Sequence, residues 1–387
     1  MGRLLSPNEA KYWLMDYSAP MNSVVVMRSK RKLVLQDLQQ ASAFKLPTIA
    51  LDANSRPRWT EAQGGGVVSE VFDDEDEFTW LRTAEQLTDV RVGTQGHPPW
   101  HAVIVQHGQG STLVFAVHHS LTDYRTSLWV AHCFLNGVSP GPLAPACEEL
   151  LQPTAFGRPD AEELVRQWWL SRASLRWNAI GVPKLVSFLP QPCKSRLRSL
   201  RFGAAETEAF QARCEKEGVT LNGAVAIAMR EAFGMRRIAH SIDLSRFIKP
   251  ALEDGPGLAI SHLFTDVGDE DFWASARDVR AKLFDQLMAG AAGDELLSLP
   301  LALLLSTHDA TSKATDATIT GGPTLRRKDN AYAGYSSQLV VGSSRAGGNV
   351  IILSHEEGCL QLISSCPADQ PELPLERVAH SLRQAMA

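Results

Sequence analysis

The stretch that most constrains this chain runs from Thr112 to Asp123. Thr112 to Val117 is almost wholly apolar and rich in β-formers, which predicts a buried strand. His118 and His119 stand where that strand runs out. A helix is expected from Tyr124 to Asn136, with Thr122 or Asp123 as its N-cap and Gly137 just past its end. A hairpin delivers the strand: after Pro98-Pro99-Trp100, Ala102 to Gln106 pairs with Thr112 to His118 across Gly108-Gln109-Gly110. Side chains alternate across a strand, so the two histidines point to opposite sides and at most one faces a given cavity. That geometry suits one general base beside one structural partner and does not suit a two-histidine metal site. Paired histidines at a strand end also serve packing and hydrogen bonding alone.

A chain of 387 residues exceeds one ordinary core, so two domains are expected. The boundary falls where Pro183, Pro190 and Pro192 break the pattern and Lys194, Arg196 and Arg198 follow. This gives a domain over 1–182, a crossover over 183–200 and a second domain over 201–387. With 44% hydrophobic and 21% charged residues the composition is that of a folded protein. Net charge is −5 and the densest basic cluster is Arg28, Lys30, Arg31 and Lys32, which argues against a nucleic-acid face. The six cysteines form no CxxC pair, so neither a disulfide framework nor a zinc site is expected, and a reducing cytoplasm is. No apolar run reaches membrane-spanning length, and the N-terminus has no signal core.

Along the chain, Ser6-Pro7-Asn8-Glu9 is a capping box that starts a helix to about Asp16. A strand follows over Asn22 to Arg28, then an amphipathic segment over Val34 to Ala43 and an edge strand over Leu46 to Leu51. Glu77 to Thr88 reads as a surface helix, and Ala161 to Asn178 as a long helix with a tryptophan pair in its core face. The second half opens with a helix over Ala205 to Lys216 and an apolar helix to Phe233 entered at Val219-Thr220-Leu221-Asn222. A strand over Ile238 to Leu244 comes next, then helices over Asp269 to Ala289 and Pro300 to Ser306. Thr318 to Ser365 is strand-rich, with a hairpin of Val350 to Ser354 and Leu360 to Ser364, and Pro374 to Met386 closes the chain as a helix.

His118-His119-x-x-x-Asp123, set between that strand and that helix, resembles the active-site motif of the CoA-dependent acyltransferase superfamily. Its members include the chloramphenicol acetyltransferases, the plant BAHD acyltransferases, the condensation domains of nonribosomal peptide synthetases and the polyketide-associated acyltransferases. Gly218-Val219-Thr220-Leu221-Asn222 is similar to a helix start in that family. Ile242-Asp243-Leu244-Ser245-Arg246 is similar to its Val-Asp-Leu-Arg segment, with the arginine displaced by one. The resemblance implies an α/β fold of two chloramphenicol acetyltransferase-like, mixed-sheet subdomains in a V, with a tunnel between them and His119 near its middle. It implies an acyltransferase of secondary metabolism or lipid assembly, moving an acyl group from a CoA or carrier-protein thioester to a hydroxyl acceptor, with His119 as base. A condensation-like enzyme with an amine acceptor is the alternative. A third reading is a diverged relative that binds a ligand, or runs another reaction, in the tunnel.

By the same resemblance His118 is structural, and Asp123 pairs with an arginine, for which Arg246 is the candidate. Tyr124 stands where the condensation-type motif has glycine, and it narrows the room near the base. Tyr124, Ser336, Ser337 and Gln338 are the candidates for substrate contact or for donors to the reaction's oxyanion. No tightly bound cofactor and no metal are implied; acyl-CoA or a phosphopantetheine thioester is a co-substrate. The partners are a small acceptor and an acyl carrier protein. Of the other histidines, His97 and His101 read as surface, and His262, His308 and His355 as isolated.

Overall fold

The apolar run ahead of the histidines forms the central strand of a five-stranded sheet, buried on both faces. In a computed structural model, the described residues are 2–17, 19–39, 44–54, 56–72, 79–94, 96–108, 110–151, 193–248, 255–296, 315–321, 335–341, 348–356 and 358–386. The first half contains α1 (Pro7–Met15), β1 (Asn22–Ser29), α2 (Leu35–Gln39), β2 (Pro47–Leu51), β3 (Pro57–Glu61), β4 (Val67–Phe72), α3 (Thr79–Thr88), β5 (Trp100–His107), β6 (Gly110–His118), α4 (Tyr124–Leu135) and α5 (Cys147–Leu150). The second contains β7 (Ser195–Arg201), α6 (Ala204–Glu217), α7 (Leu221–Phe233), β8 (Arg237–Asp243), a 3-10 turn (Leu244–Phe247), β9 (Ile260–Asp266), α8 (Phe272–Met288), β10 (Ala317–Thr320), β11 (Tyr335–Val341), β12 (Asn349–Glu356), β13 (Cys359–Pro367) and α9 (Leu375–Met386).

The strands form sheets of order β11-β1-β6-β5-β4 and β7-β13-β12-β10-β8-β9, with β2 and β3 as a separate pair. Both large sheets are mixed: β4 runs parallel to β5, and β10 runs parallel to β8 and β12. Val25, Met27, Leu113, Phe115 and Val117 pack on one side of the first sheet, with Ala10, Trp13 and Leu14 of α1 and Leu128, Ala131 and Phe134 of α4. Val24, Val26, Val114 and Ala116 pack on the other, against Trp80, Ala84 and Leu87 of α3 and against Leu197, Val350, Ile352 and Ile363 of the second sheet. Burial on both faces is why the run lacks polar alternation, and each buried Val, Leu, Ile, Phe or Met contributes roughly 1.5–3 kcal/mol.

Helix α3, expected on the surface, buries Trp80, Thr83, Ala84 and Leu87 between the sheets. Strands β3, β4 and β9 have no counterpart in the sequence reading. Residues 195–200, read as crossover, begin β7, an edge of the second sheet; 183–192 lie outside the described residues, as do the expected helices over 161–178 and 300–306. Strand β11 comes from the second half yet pairs antiparallel with β1, so the first sheet draws on both ends of the chain.

Candidate active site

Strand, loop and helix fix the histidine segment through its backbone. The His119 N–H donates to Met21 O at 2.7 Å, one residue past the end of β6, and Leu121 N–H turns back to His118 O at 2.9 Å. The Ser120 hydroxyl donates to Glu9 O in α1 at 2.7 Å. Helix α1 is itself held by its capping box: Ser6 Oγ accepts from Glu9 N at 3.3 Å and Glu9 Oε2 accepts from Ser6 N at 2.7 Å. The loop is thus tied to β1, α1 and α4, and its side chains have little freedom.

The two histidines carry opposite tautomers. His118 Nδ1 accepts from Ser120 N at 3.1 Å, so its proton sits on Nε2, which faces Asp16 Oδ1 at 3.5 Å, the outer limit of a hydrogen bond. Asp16 also accepts from Arg91 Nη1 at 2.5 Å, Thr94 Oγ1 at 3.2 Å and Met21 N at 3.0 Å. Burial pushes the Asp16 carboxyl up, but His118, Arg91 and the Met21 N–H outweigh it and hold it below the usual carboxylate range. His118 Nε2 is sealed from solvent. Asp16, which no sequence motif marked, is therefore the partner of His118.

His119 is the reverse case. Its Nδ1 lies 2.8 Å from Thr122 O, and a carbonyl only accepts, so Nδ1 carries the proton and Nε2 the lone pair. Among the described residues Nε2 has no hydrogen-bond partner, and it is not one of the sealed, unpaired atoms. The ring stacks on Tyr12 with centroids 4.2 Å apart and an interplanar angle of 24°. Burial lowers its pKa to about 4 against the opposing Thr122 hydrogen bond, with His118 and Lys11 lowering it further. The imidazole is therefore neutral at physiological pH, with a fixed, unpaired lone pair.

Asp123 is the N-cap of α4: Oδ1 accepts from Thr126 N at 2.9 Å, and the Asp123 N–H donates to Thr126 Oγ1 at 2.9 Å. Its Oδ2 reaches into the second half and accepts from Ala259 N at 3.0 Å. Burial raises its pKa, opposed by the Thr126 and Ala259 hydrogen bonds and the charge of Arg125. Ala259 O in turn accepts from Leu244 N at 2.9 Å. The 3-10 turn that contains Arg246 thus lies one residue's width from Asp123, while the Arg246 side chain is outside the described structure. Tyr124 is the first residue of α4 and packs against the first-half core, in helical backbone that glycine is not needed to form.

Ser336, Ser337 and Gln338 are not brought beside His119. They pair with Arg28, Met27 and Val26 of β1, and those residues lie level with Thr112, Leu113 and Val114 of β6. Gln338 is thus four residues from His118 along the sheet and Ser336 six, or about 13 and 20 Å at roughly 3.3 Å per residue.

The elements that do meet the histidine loop come from residues 255–266. Tyr12 and Met21 form a small apolar cluster with Leu258 and Ile260. Asn8 Nδ2 donates to Ile260 O at 3.0 Å, and Thr126 Oγ1 donates to Gly257 O at 2.7 Å. Lys11 lies 3.9 Å from Glu295, which accepts from Ser261 Oγ at 2.6 Å. His262, read from the sequence as isolated, sits on β9 in this seam; burial lowers its pKa, and the charges of Lys11 and His119 lower it further. Of the remaining histidines, His97 is exposed and His101 half-buried, His355 meets Gln211 at 3.0 Å, and His308 is outside the described residues. An open groove of about 770 Å³ between Lys32 to Gln36, Glu70, Phe72 and Gln106 lies at the far edge of the first sheet, away from His119.

The sequence matches no family model and no curated protein. Its fold matches solved structures over the whole chain. The first condensation domain of the calcium-dependent antibiotic synthetase, in complex with a substrate analogue, aligns with a TM-score of 0.68 at 15% identity over 100% of this chain and 97% of that one. Polyketide synthase associated protein 5 from Mycobacterium tuberculosis aligns at 0.63 and 13% over 99% and 96%. The trichothecene 15-O-acetyltransferase from Fusarium sporotrichioides aligns at 0.68 and 11% over 99% and 95%. At these identities the likeness establishes the fold: that of the condensation domains and CoA-dependent acyltransferases.

Proposed function

We propose that this chain, which shares its fold with condensation domains and acyltransferases, is itself an acyltransferase. In this reading it transfers an acyl group from a CoA or carrier-protein thioester to a hydroxyl acceptor. The observation that carries the reading is the His119 imidazole, locked by Thr122 with its Nε2 lone pair unpaired and unsealed beside the seam between the halves. A neutral amine attacks a thioester unaided, whereas an alcohol must lose its proton as it attacks. A fixed neutral base therefore serves a hydroxyl acceptor best.

The alcohol oxygen bonds to the thioester carbon while its proton moves to His119 Nε2, and the carbonyl π pair moves onto oxygen. When the carbonyl re-forms, the C–S bond breaks and the thiolate takes the proton back from Nε2. His119 is thereby reset, and no cofactor is consumed. The Thr122 carbonyl, holding Nδ1–H, stabilises the transient imidazolium. The acceptor and the thioester carrier reach Nε2 through the seam lined by Tyr12 and β9, which stands for the tunnel of this reading. The domains are those of the sequence division at 183–200, with β11 lent to the first, and the enzyme works in the cytoplasm.

The test is free-thiol release from acetyl-, octanoyl- and palmitoyl-CoA in the presence of 1-octanol or octylamine. The expected result is acceptor-dependent release, faster with the alcohol and lowered about 10²–10⁴-fold in His119→Ala. Release that is absent, or equal in wild type and His119→Ala, would refute the proposal.

A further inference from the structure

Acyl transfer places a negative charge on the former carbonyl oxygen, and that charge needs a hydrogen-bond donor preorganised near His119. Ser336, Ser337 and Gln338 lie too far along the sheet to supply it. Strand β9 offers another group. Side chains two apart on a strand share a face, so His262 points to the same side as Ile260, and Ile260 packs against Tyr12 and Met21. Those two residues hold His119 directly, Tyr12 by ring stacking and Met21 through the 2.7 Å backbone bond. Asn8 fixes the strand to α1 at Ile260 O, 3.0 Å away, so β9 cannot slide relative to the histidine loop without breaking that bond.

His262 is half-buried, and among the described residues its ring makes no hydrogen bond; neither nitrogen is sealed. This differs from two other strand histidines: His118 is bound by Ser120 N and faces Asp16, and His240 is bound to Thr265 Oγ1 at 2.9 Å. A ring that is neither satisfied nor closed off presents its N–H to whatever enters the seam.

We propose, on the strength of the acyl-transfer reading above, that His262 is a second catalytic residue, whose ring N–H donates a hydrogen bond to the oxyanion of the tetrahedral intermediate. No proton leaves His262. As the alcohol oxygen bonds to carbon and its proton passes to His119 Nε2, the carbonyl oxygen becomes negative and accepts from the His262 N–H. The hydrogen bond weakens when the C–S bond breaks and the carbonyl re-forms. Burial first, and the charge of Lys11 after it, disfavour a proton on either ring, so His262 stays a neutral donor. His119, from the first half, and His262, from the second, divide the labour of base and oxyanion donor.

The experiment uses the full chain with the acyl-CoA and 1-octanol pair that gives the fastest thiol release. His262→Ala is expected to lower kcat about 10²–10³-fold, with KM for both substrates within threefold and an unchanged thermal midpoint. His262→Gln, which keeps an N–H donor, should recover at least tenfold of that loss. A kcat for His262→Ala within threefold of wild type, or a loss confined to KM, overturns the assignment while leaving the His119 reading intact. Failure of Gln to recover activity overturns it too. Absence of thiol release in wild type removes both readings together.

Discussion

Replacing His119 with glutamine separates a buried, neutral imidazole from a solvated one without any substrate. Glutamine can still donate to Thr122 O, so that 2.8 Å hydrogen bond survives. What is lost is the stack on Tyr12, a contact worth about 0.5–1.5 kcal/mol, and some packing, for a total of about 2 kcal/mol near pH 7.5. The ring's pKa is about 4 in the fold, against 6.5 for an ordinary histidine. Because the folded value is depressed, the stability is present above about 6.5 and is lost as pH falls towards 4 and the unfolded chain takes up the proton first. At about pH 5 this uptake costs the wild type about 2 kcal/mol, which the glutamine variant does not incur. The destabilisation should therefore shrink from about 2 kcal/mol near neutrality to almost nothing near pH 5. His240 and His262 titrate in both proteins and largely cancel in the comparison. Urea melts of both proteins at the two pH values measure it. A difference that stays constant to within about 0.5 kcal/mol would mean that the ring titrates like a free imidazole, and the burial argument would fall.

Asp123→Ala removes the N-cap of α4, about 1 kcal/mol, and leaves the buried Ala259 N–H unpaired, about 1–3 kcal/mol more, so urea melts should show a loss of about 2–4 kcal/mol. Asp123→Asn keeps only one acceptor oxygen and should fall between; an unchanged midpoint for Ala would contradict the bridge to the second half. Asp16→Ala strands His118 in the core and leaves the partly buried Arg91 without its carboxylate, and should cost about 3–5 kcal/mol in the same melts, whereas an exposed pair would cost under about 1. Initial rates of thiol release should be flat from about pH 8 to 5.5, since a base with a pKa of about 4 stays unprotonated there; a half-loss near pH 6.5 would show the base to be solvated.

The histidine hairpin was legible because its signals are local: apolar β-formers, two histidines, a capping aspartate and a helix ended by Gly137 all lie within one short span. The capping box of α1 and the Thr220 cap of α7 were legible for the same reason. Strand β9 was not, although Ile260, Ser261, His262, Leu263, Phe264 and Thr265 do carry a weak alternation; its burial pattern is set by α1 and α8, elements remote in sequence. Missing β9 is what made His262 look isolated. Asp16 and Tyr12 were equally silent, since a residue at the end of a helix and one in its middle acquire a histidine partner only when the helix docks.

By itself, then, the sequence determined which histidine stands at the strand end, what caps the helix after it, and the mixed α/β class, because hydrogen bonds between near neighbours encode all three. Only the tertiary structure decided the tautomers, the partner of each histidine and the place of β11 in the first sheet. It alone withdrew Ser336 to Gln338 from the site and set His262 in the seam. These are contacts between segments far apart in the chain, and their energy comes from burial and from the pairing of polar groups that burial forces, so no local pattern carries them.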